Sequence, residues 1–335
     1  MILHPGVLAL ISGSAIALAM VLHAAVVGMV ILRRWDFSSS SACQLALERK
    51  TYLVSTLVNY ALAFQILSFF LFIYTVEDIH NLFVGAMCAT GSLNANPLGW
   101  YVLLSKITVF FLSGLWIVLN FVDQKVEDYP LVRLKYFLLI GLLPFIGLDL
   151  FLQVSYFFGL DPDIITSCCG SLFGEGGTTV TSSISTLPVW SAMLVFYSVA
   201  GLFIVVMWCC LNSQQRLLRY LHTAAAAIFF VVAVMAVISF GSIYIYELPM
   251  HHCPFDMMQR EYNLIGYPLY LGLFGGVFFG LLPGFFQPLK RISSLQDILV
   301  RLDRRWVLWS MGCTLFFLLV ITSQVVFSDL DYFSY

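Results

Sequence analysis

Apolar residues run on along this chain for about 20 positions at a time, and eight such runs are separated by short polar stretches. They lie at about 6–32, 52–75, 101–121, 137–158, 187–212, 223–247, 266–286 and 306–328. A run of that length matches the hydrocarbon thickness of a bilayer. Backbone groups in lipid must find partners within their own segment, so each run predicts a membrane-crossing α-helix. A transmembrane barrel would show segments of about ten residues with alternating polarity, and that pattern is absent. The expected fold is all-α: a polytopic transmembrane bundle of about eight helices. It forms one integral membrane domain over 1–335, with short extracytoplasmic loops at about 76–100, 159–186 and 248–265. The first run lacks a basic leader, is too long for a signal-peptide core and is followed by Arg33 and Arg34, which predicts an uncleaved helix.

Composition agrees with this pattern. The chain is 61% hydrophobic and 10% charged, with a mean hydropathy of +0.94, whereas soluble domains carry roughly 25% charged residues. The bilayer is therefore an expected partner and nucleic acid is not. The sequence contains no Walker, dinucleotide-binding or zincin motif, so nucleotide hydrolysis by this chain is not expected.

The placement of charge orients the bundle. Arg33, Arg34, Arg49 and Lys50 follow the first run, and Lys125, Arg133 and Lys135 the third. Arg216 and Arg219 follow the fifth, and Lys290, Arg291, Arg301, Arg304 and Arg305 the seventh. These are 14 of the 16 basic residues; of the other two, Arg260 lies in an even-numbered connection and Lys106 within a run. The positive-inside rule then places the odd-numbered connections in the cytoplasm and both termini outside, as in a bacterial inner-membrane protein. The outer face also collects acids, among them Glu77, Asp78, Asp161, Asp163, Asp256 and Glu261. Such a face attracts cations, although a topology that excludes only basic residues produces the same pattern.

Cysteines carry the candidate chemistry. Four of the eight, Cys88, Cys168, Cys169 and Cys253, fall in the outer connections. Cys43, Cys209, Cys210 and Cys313 lie near the cytoplasm or within runs, where a small apolar role is the default. Three readings follow from the outer set. Two structural disulfides would tie the loops together, as thiols in an oxidising compartment tend to pair. Alternatively, Cys88, Cys168, Cys169 and Cys253 are catalytic and exchange disulfides, passing electrons to or from a quinone or a thioredoxin-like extracytoplasmic partner. In the third reading a soft metal ion is held by Cys168, Cys169, His251, His252 and Cys253, with Cys88 as a further donor, since thiolate and imidazole suit such ions.

Cys253-Pro254-Phe255-Asp256 has the spacing of a redox Cys-x-x-Cys with Asp in the second position. Pro254 suits a first helical turn. Asp256, Gln259, Arg260 and Asn263 recur at helical spacing, which predicts a short interfacial helix with Phe255, Met258, Tyr262 and Ile265 partly toward the membrane. A helix start there would favour the thiolate of Cys253. Cys88-Ala-Thr-Gly91-Ser92-Leu93 also resembles Cys168-Cys169-Gly170-Ser171-Leu172, an echo that fits duplicated hairpins.

Three features lie within the runs. Gly272, Gly276, Gly280 and Gly284 form one small-residue face, suited to close helix packing or, less simply, to a flat cofactor, and Pro283 should weaken that helix. Lys106 and Asp149 fall at depths about 6 Å apart at 1.5 Å per residue, so an ion pair is expected, either structural or lining a proton, ion or quinone site. His23 and His222 offer no matched haem pair, and no covalent haem-attachment motif occurs. The expected function is an inner-membrane thiol–disulfide redox or electron-transfer protein. A soft-metal transporter or metal-handling protein is the alternative, and a non-catalytic membrane subunit or assembly factor with structural disulfides is the third class.

Overall fold

The computed structural model describes residues 3–36, 41–161, 188–249 and 251–330. Among them all regular structure is helical, and eight helices are long and apolar enough to cross a membrane. The chain is an integral membrane protein. The helices are α1 (Pro5–Arg34), α2 (Ala42–Asp78), a short α3 (Ala89–Asn94), α4 (Gly99–Asp123) and α5 (Val132–Phe158). After the segment outside the described residues come α6 (Val189–Asn212), α7 (Arg216–Ala236), a π-helical turn over Val237–Gly241, α8 (Ser242–Tyr246), α9 (Gly266–Phe286) and α10 (Ser293–Phe327). The sixth span is continuous through α7, the π turn and α8, over Arg216–Tyr246.

Several helices extend well beyond their apolar runs. α2 starts at Ala42, where the Ser41 hydroxyl accepts the Gln44 amide at 3.3 Å, rather than near 52. α10 starts at Ser293 rather than near 306. Hydropathy marks only the part of a helix that meets lipid; the polar turns that continue it are fixed by caps and packing.

The sequence suggests one membrane domain, and its contacts group into two compact units. Met1–Val84 with Ser92–Thr166 form the first, and Gly85–Gly91 with Ser167–Tyr335 the second. In the first, α1, α2, α4 and α5 pack as a ring in chain order, with α5 closing on α1. In the second, α6, α7, α9 and α10 make a ring of the same order, with α10 closing on α6. Two successive sets of four spans thus share one packing scheme, the arrangement duplicated hairpins produce. The second half of the cysteine echo, Cys168 to Leu172, lies outside the described residues.

Within the first unit, Val21, Val58, Trp116, Leu139 and Ile146 belong to one continuous apolar core. Lys106 Nζ lies 2.8 Å from Asp149 Oδ2, with both side chains fully buried. Ser68 and Ser105 complete that cluster at 3.2 and 3.1 Å. A second buried pair, Lys135 with Asp123 at 2.7 Å, joins α5 to the end of α4.

In the second unit the glycine face of α9 is filled by protein. A Cβ on Gly272 would meet the backbone of Phe317 at 3.2 Å, and one on Gly276 would meet Thr314 Oγ1 at 2.7 Å. On Gly280 it would meet Ala226 at 2.7 Å, and on Gly284 Thr223 Oγ1 at 2.4 Å. The stripe therefore seats α10 and α7, and no space remains on it for a flat cofactor. Pro283 removes one amide from this helix, and Thr223 supports the turn beside it. Its hydroxyl accepts the Gly284 amide at 2.9 Å and lies 3.1 Å from the Leu281 carbonyl. Asp303 on α10 is shared by Arg219 at 2.7 Å and Lys290 at 3.0 Å. Lys135 and Arg219, which read as loop charges in the sequence, are both buried in ion pairs.

Candidate thiol and carboxylate site

The sixth connection is not the interfacial helix its periodicity predicts. It forms two separate 3-10 turns, Asp256–Met258 and Arg260–Tyr262, with extended backbone at Gln259 between them. Asn263 and Leu264 then adopt positive φ, 54° and 57°, which no helix continues through. Tertiary bonds replace the helical ones. The Tyr246 hydroxyl donates to Cys253 O at 2.6 Å and accepts the Met257 amide at 2.8 Å. Tyr270 Oη donates to Pro254 O at 2.7 Å, and Gln259 Nε2 donates to Met87 O at 2.9 Å. Phe255 and Met258, expected toward the membrane, are buried. Gly266 lets α9 press against the turn, since a Cβ there would stand 2.8 Å from Met257 Cγ.

These bonds bring Cys253 against Cys88, with both residues wholly buried in the second unit. Their sulfurs are 3.4 Å apart, well beyond the roughly 2.05 Å of a disulfide. Around Cys253 Sγ stand the Thr90 hydroxyl at 3.4 Å and the Phe255 amide at 3.4 Å. The Cys253 thiol donates to Asp256 Oδ1 at 3.3 Å. The other carboxylate oxygen of Asp256 faces His251 Nε2 at 2.5 Å. A continuous path thus runs from sulfur through carboxylate to imidazole. Cys88, Cys253 and Asp256 place one donor atom each within 4.8 Å of one another.

The two adjacent histidines have different surroundings. His252 Nδ1 donates to the Ile238 carbonyl at 3.0 Å, an acceptor within the π-helical turn that also receives the Ser242 hydroxyl at 3.0 Å. Burial holds the His252 imidazole below its ordinary value, against the pull of the Ile238 and Ser239 carbonyls. Tyr262, whose ring meets that of Tyr246 edge-on at 4.6 Å, is raised by burial and then by the negative charges of Asp256, Glu261 and Cys253.

Of the residues singled out in the sequence, Cys88 and Cys253 are brought together, and His251 approaches the cluster through Asp256. His252 is turned to a backbone carbonyl and is not among the grouped donors. Cys168 and Cys169 lie outside the described residues. Asp256 stands out in sequence through the Cys-x-x-Asp spacing, the polar stripe and the acidic outer face, none of which points to Cys88, and Thr90 and Tyr246 are not singled out for a site. Comparison with known proteins finds no matching family model, curated protein or solved structure.

Proposed function

We propose that this chain is an inner-membrane thiol–disulfide redox protein whose working pair is Cys88 and Cys253. The observation that carries the reading is the 3.4 Å approach of two buried sulfurs, one of them bonded to a carboxylate. Closing that gap to a disulfide takes about 1.4 Å of side-chain motion. Cys253 is the thiol placed to attack: it donates to Asp256 Oδ1, a carboxylate in position to take its proton as the sulfur reacts, and His251 Nε2 faces the far oxygen. The Thr90 hydroxyl and Phe255 amide favour the thiolate that forms, because hydrogen bonds to a charged form stabilise it.

Oxidation joins the two sulfurs and releases two electrons and two protons. A quinone takes both and becomes the quinol; a partner disulfide takes both and becomes two thiols. The full burial of both sulfurs favours an acceptor as small and apolar as a quinone over the folded surface of a thioredoxin-like protein. The charge asymmetry of the connections supports a bacterial inner membrane, with both termini and the even-numbered connections on the extracytoplasmic side.

The test uses the purified full chain, reduced with a phosphine, mixed with a short-chain quinone, alkylated and digested. A Cys88–Cys253 linked peptide and one quinol per chain are expected, and both disappear in C88S and C253S. The absence of linked peptide and quinol from the wild-type chain overturns the quinone reading. Linkage driven only by a thioredoxin-like disulfide reassigns the acceptor.

A further inference from the structure

We infer that Cys88, Cys253 and Asp256 form a binding site for a borderline divalent d10 cation of the zinc class. The inference rests on the arrangement of these donors and stands whether or not the two sulfurs cycle with a disulfide. Two sulfurs and a carboxylate oxygen converge within 4.8 Å, and all three residues are buried. Burying three groups that bear negative charge when deprotonated is costly unless a cation or bound protons neutralise them.

The donor set selects the ion. Oxygen-seeking calcium and magnesium disfavour two thiolates. Monovalent copper is suited to an all-sulfur set and gains little from a carboxylate, whereas zinc accepts sulfur, nitrogen and oxygen together in tetrahedral sites. With bonds of about 2.3 Å to sulfur and about 2.0–2.2 Å to oxygen, tetrahedral donors stand roughly 3.5–3.8 Å apart, so the Cys88–Cys253 and Cys253–Asp256 separations of 3.4 and 3.3 Å need only open slightly to admit the ion.

His251 supplies the second, independent feature. Its Nε2 lies 2.5 Å from Asp256 Oδ2 while Oδ1 faces Cys253. One carboxylate oxygen is thus held from behind and the other is presented to the cluster, the way outer partners orient metal ligands. The neighbouring His252 does not serve this role, because its Nδ1 is committed to the Ile238 carbonyl. Among the described residues three donors are grouped, and a tetrahedral zinc site takes a fourth ligand, from protein or from water. Binding would release the thiol protons and hold the sulfurs in the reduced state, so metal occupancy and disulfide formation would exclude each other.

The experiment is a cobalt titration of the phosphine-reduced full chain in detergent. Binding is read from the near-ultraviolet thiolate-to-cobalt charge-transfer band and from the visible bands of tetrahedral cobalt. One cobalt per chain is expected, displaced by one equivalent of zinc. C88S and C253S should lose the charge-transfer intensity of one sulfur and at least tenfold in affinity; D256N should keep both sulfurs yet lose about tenfold. H251Q, which disturbs only the outer partner, should weaken binding 10- to 100-fold. A wild-type chain that gives no charge-transfer band overturns the inference without any variant having to fold, as does a band that survives unchanged in C88S and C253S. Failure of the redox reading is scored separately, by the linked peptide.

Discussion

Lys106 Nζ and Asp149 Oδ2 meet at 2.8 Å with both side chains completely buried, in the membrane-spanning part of the first unit. Desolvation makes such a pair costly to form, and removal of one partner strands the other charge. Lys106→Met and Asp149→Leu should each destabilise the protein by about 3–5 kcal/mol. The double variant should recover most of that loss, since an apolar pair of similar volume replaces the ions. Unfolding midpoints of the three variants in detergent check this, and a double variant as unstable as the two losses combined would contradict it.

The glycine face of α9 makes a graded prediction. Gly276→Ala sets a methyl against Thr314 and Gly280→Ala sets one against Ala226, at 2.7 Å in each case. Each should cost about 1–3 kcal/mol through overpacking. Gly312→Ala and Gly201→Ala meet nothing within 4 Å and should leave the midpoint unchanged or slightly raised. Equal losses at all four positions would mean that helix packing against α9 is not the cause.

The spans are legible in the sequence because one physical quantity, apolar length, specifies them. The pairing of Lys106 with Asp149 is legible for a related reason: charges inside lipid seek each other, and helical rise gives their depths. The site is less legible because its parts are remote. Cys88 and Cys253 are 165 residues apart, and nothing in their local sequence says which cysteines meet. Periodicity misleads in the sixth connection because the Tyr246 hydroxyl and the positive φ of Asn263 and Leu264 override a helical stripe. His251 and His252 look alike in sequence. They separate only when Asp256 stands before one and a π-helical carbonyl before the other.

That separation carries a pH dependence. His252 is held below its ordinary value of 6.5, chiefly by burial. The unfolded chain then binds the proton more readily, so stability is fully present above about 6.5 and declines as the pH falls. The decline ends once the pH passes below the folded-state value. Thermal midpoints measured from pH 7.5 down to pH 5 should therefore fall more steeply for the wild type than for His252→Gln, which keeps a donor for Ile238. Parallel curves would remove His252 as the source.

Orientation has its own test, because an exposed thiol, Cys43, lies beside the basic residues of the first connection. Cys43 lies in the first turn of α2, shortly before Arg49 and Lys50, and is solvent-accessible. If the basic connections are cytoplasmic, a membrane-impermeant maleimide added to intact cells should leave the Cys43 peptide unmodified. The same reagent should modify it after permeabilisation. Cys88 and Cys253 are buried and should react slowly in both samples unless the protein is unfolded, so they serve as internal controls for integrity. Modification of Cys43 in intact cells would invert the bundle. The acidic loops and the thiol site would then face the cytoplasm, where a reducing environment would favour the metal-bound dithiol over its disulfide.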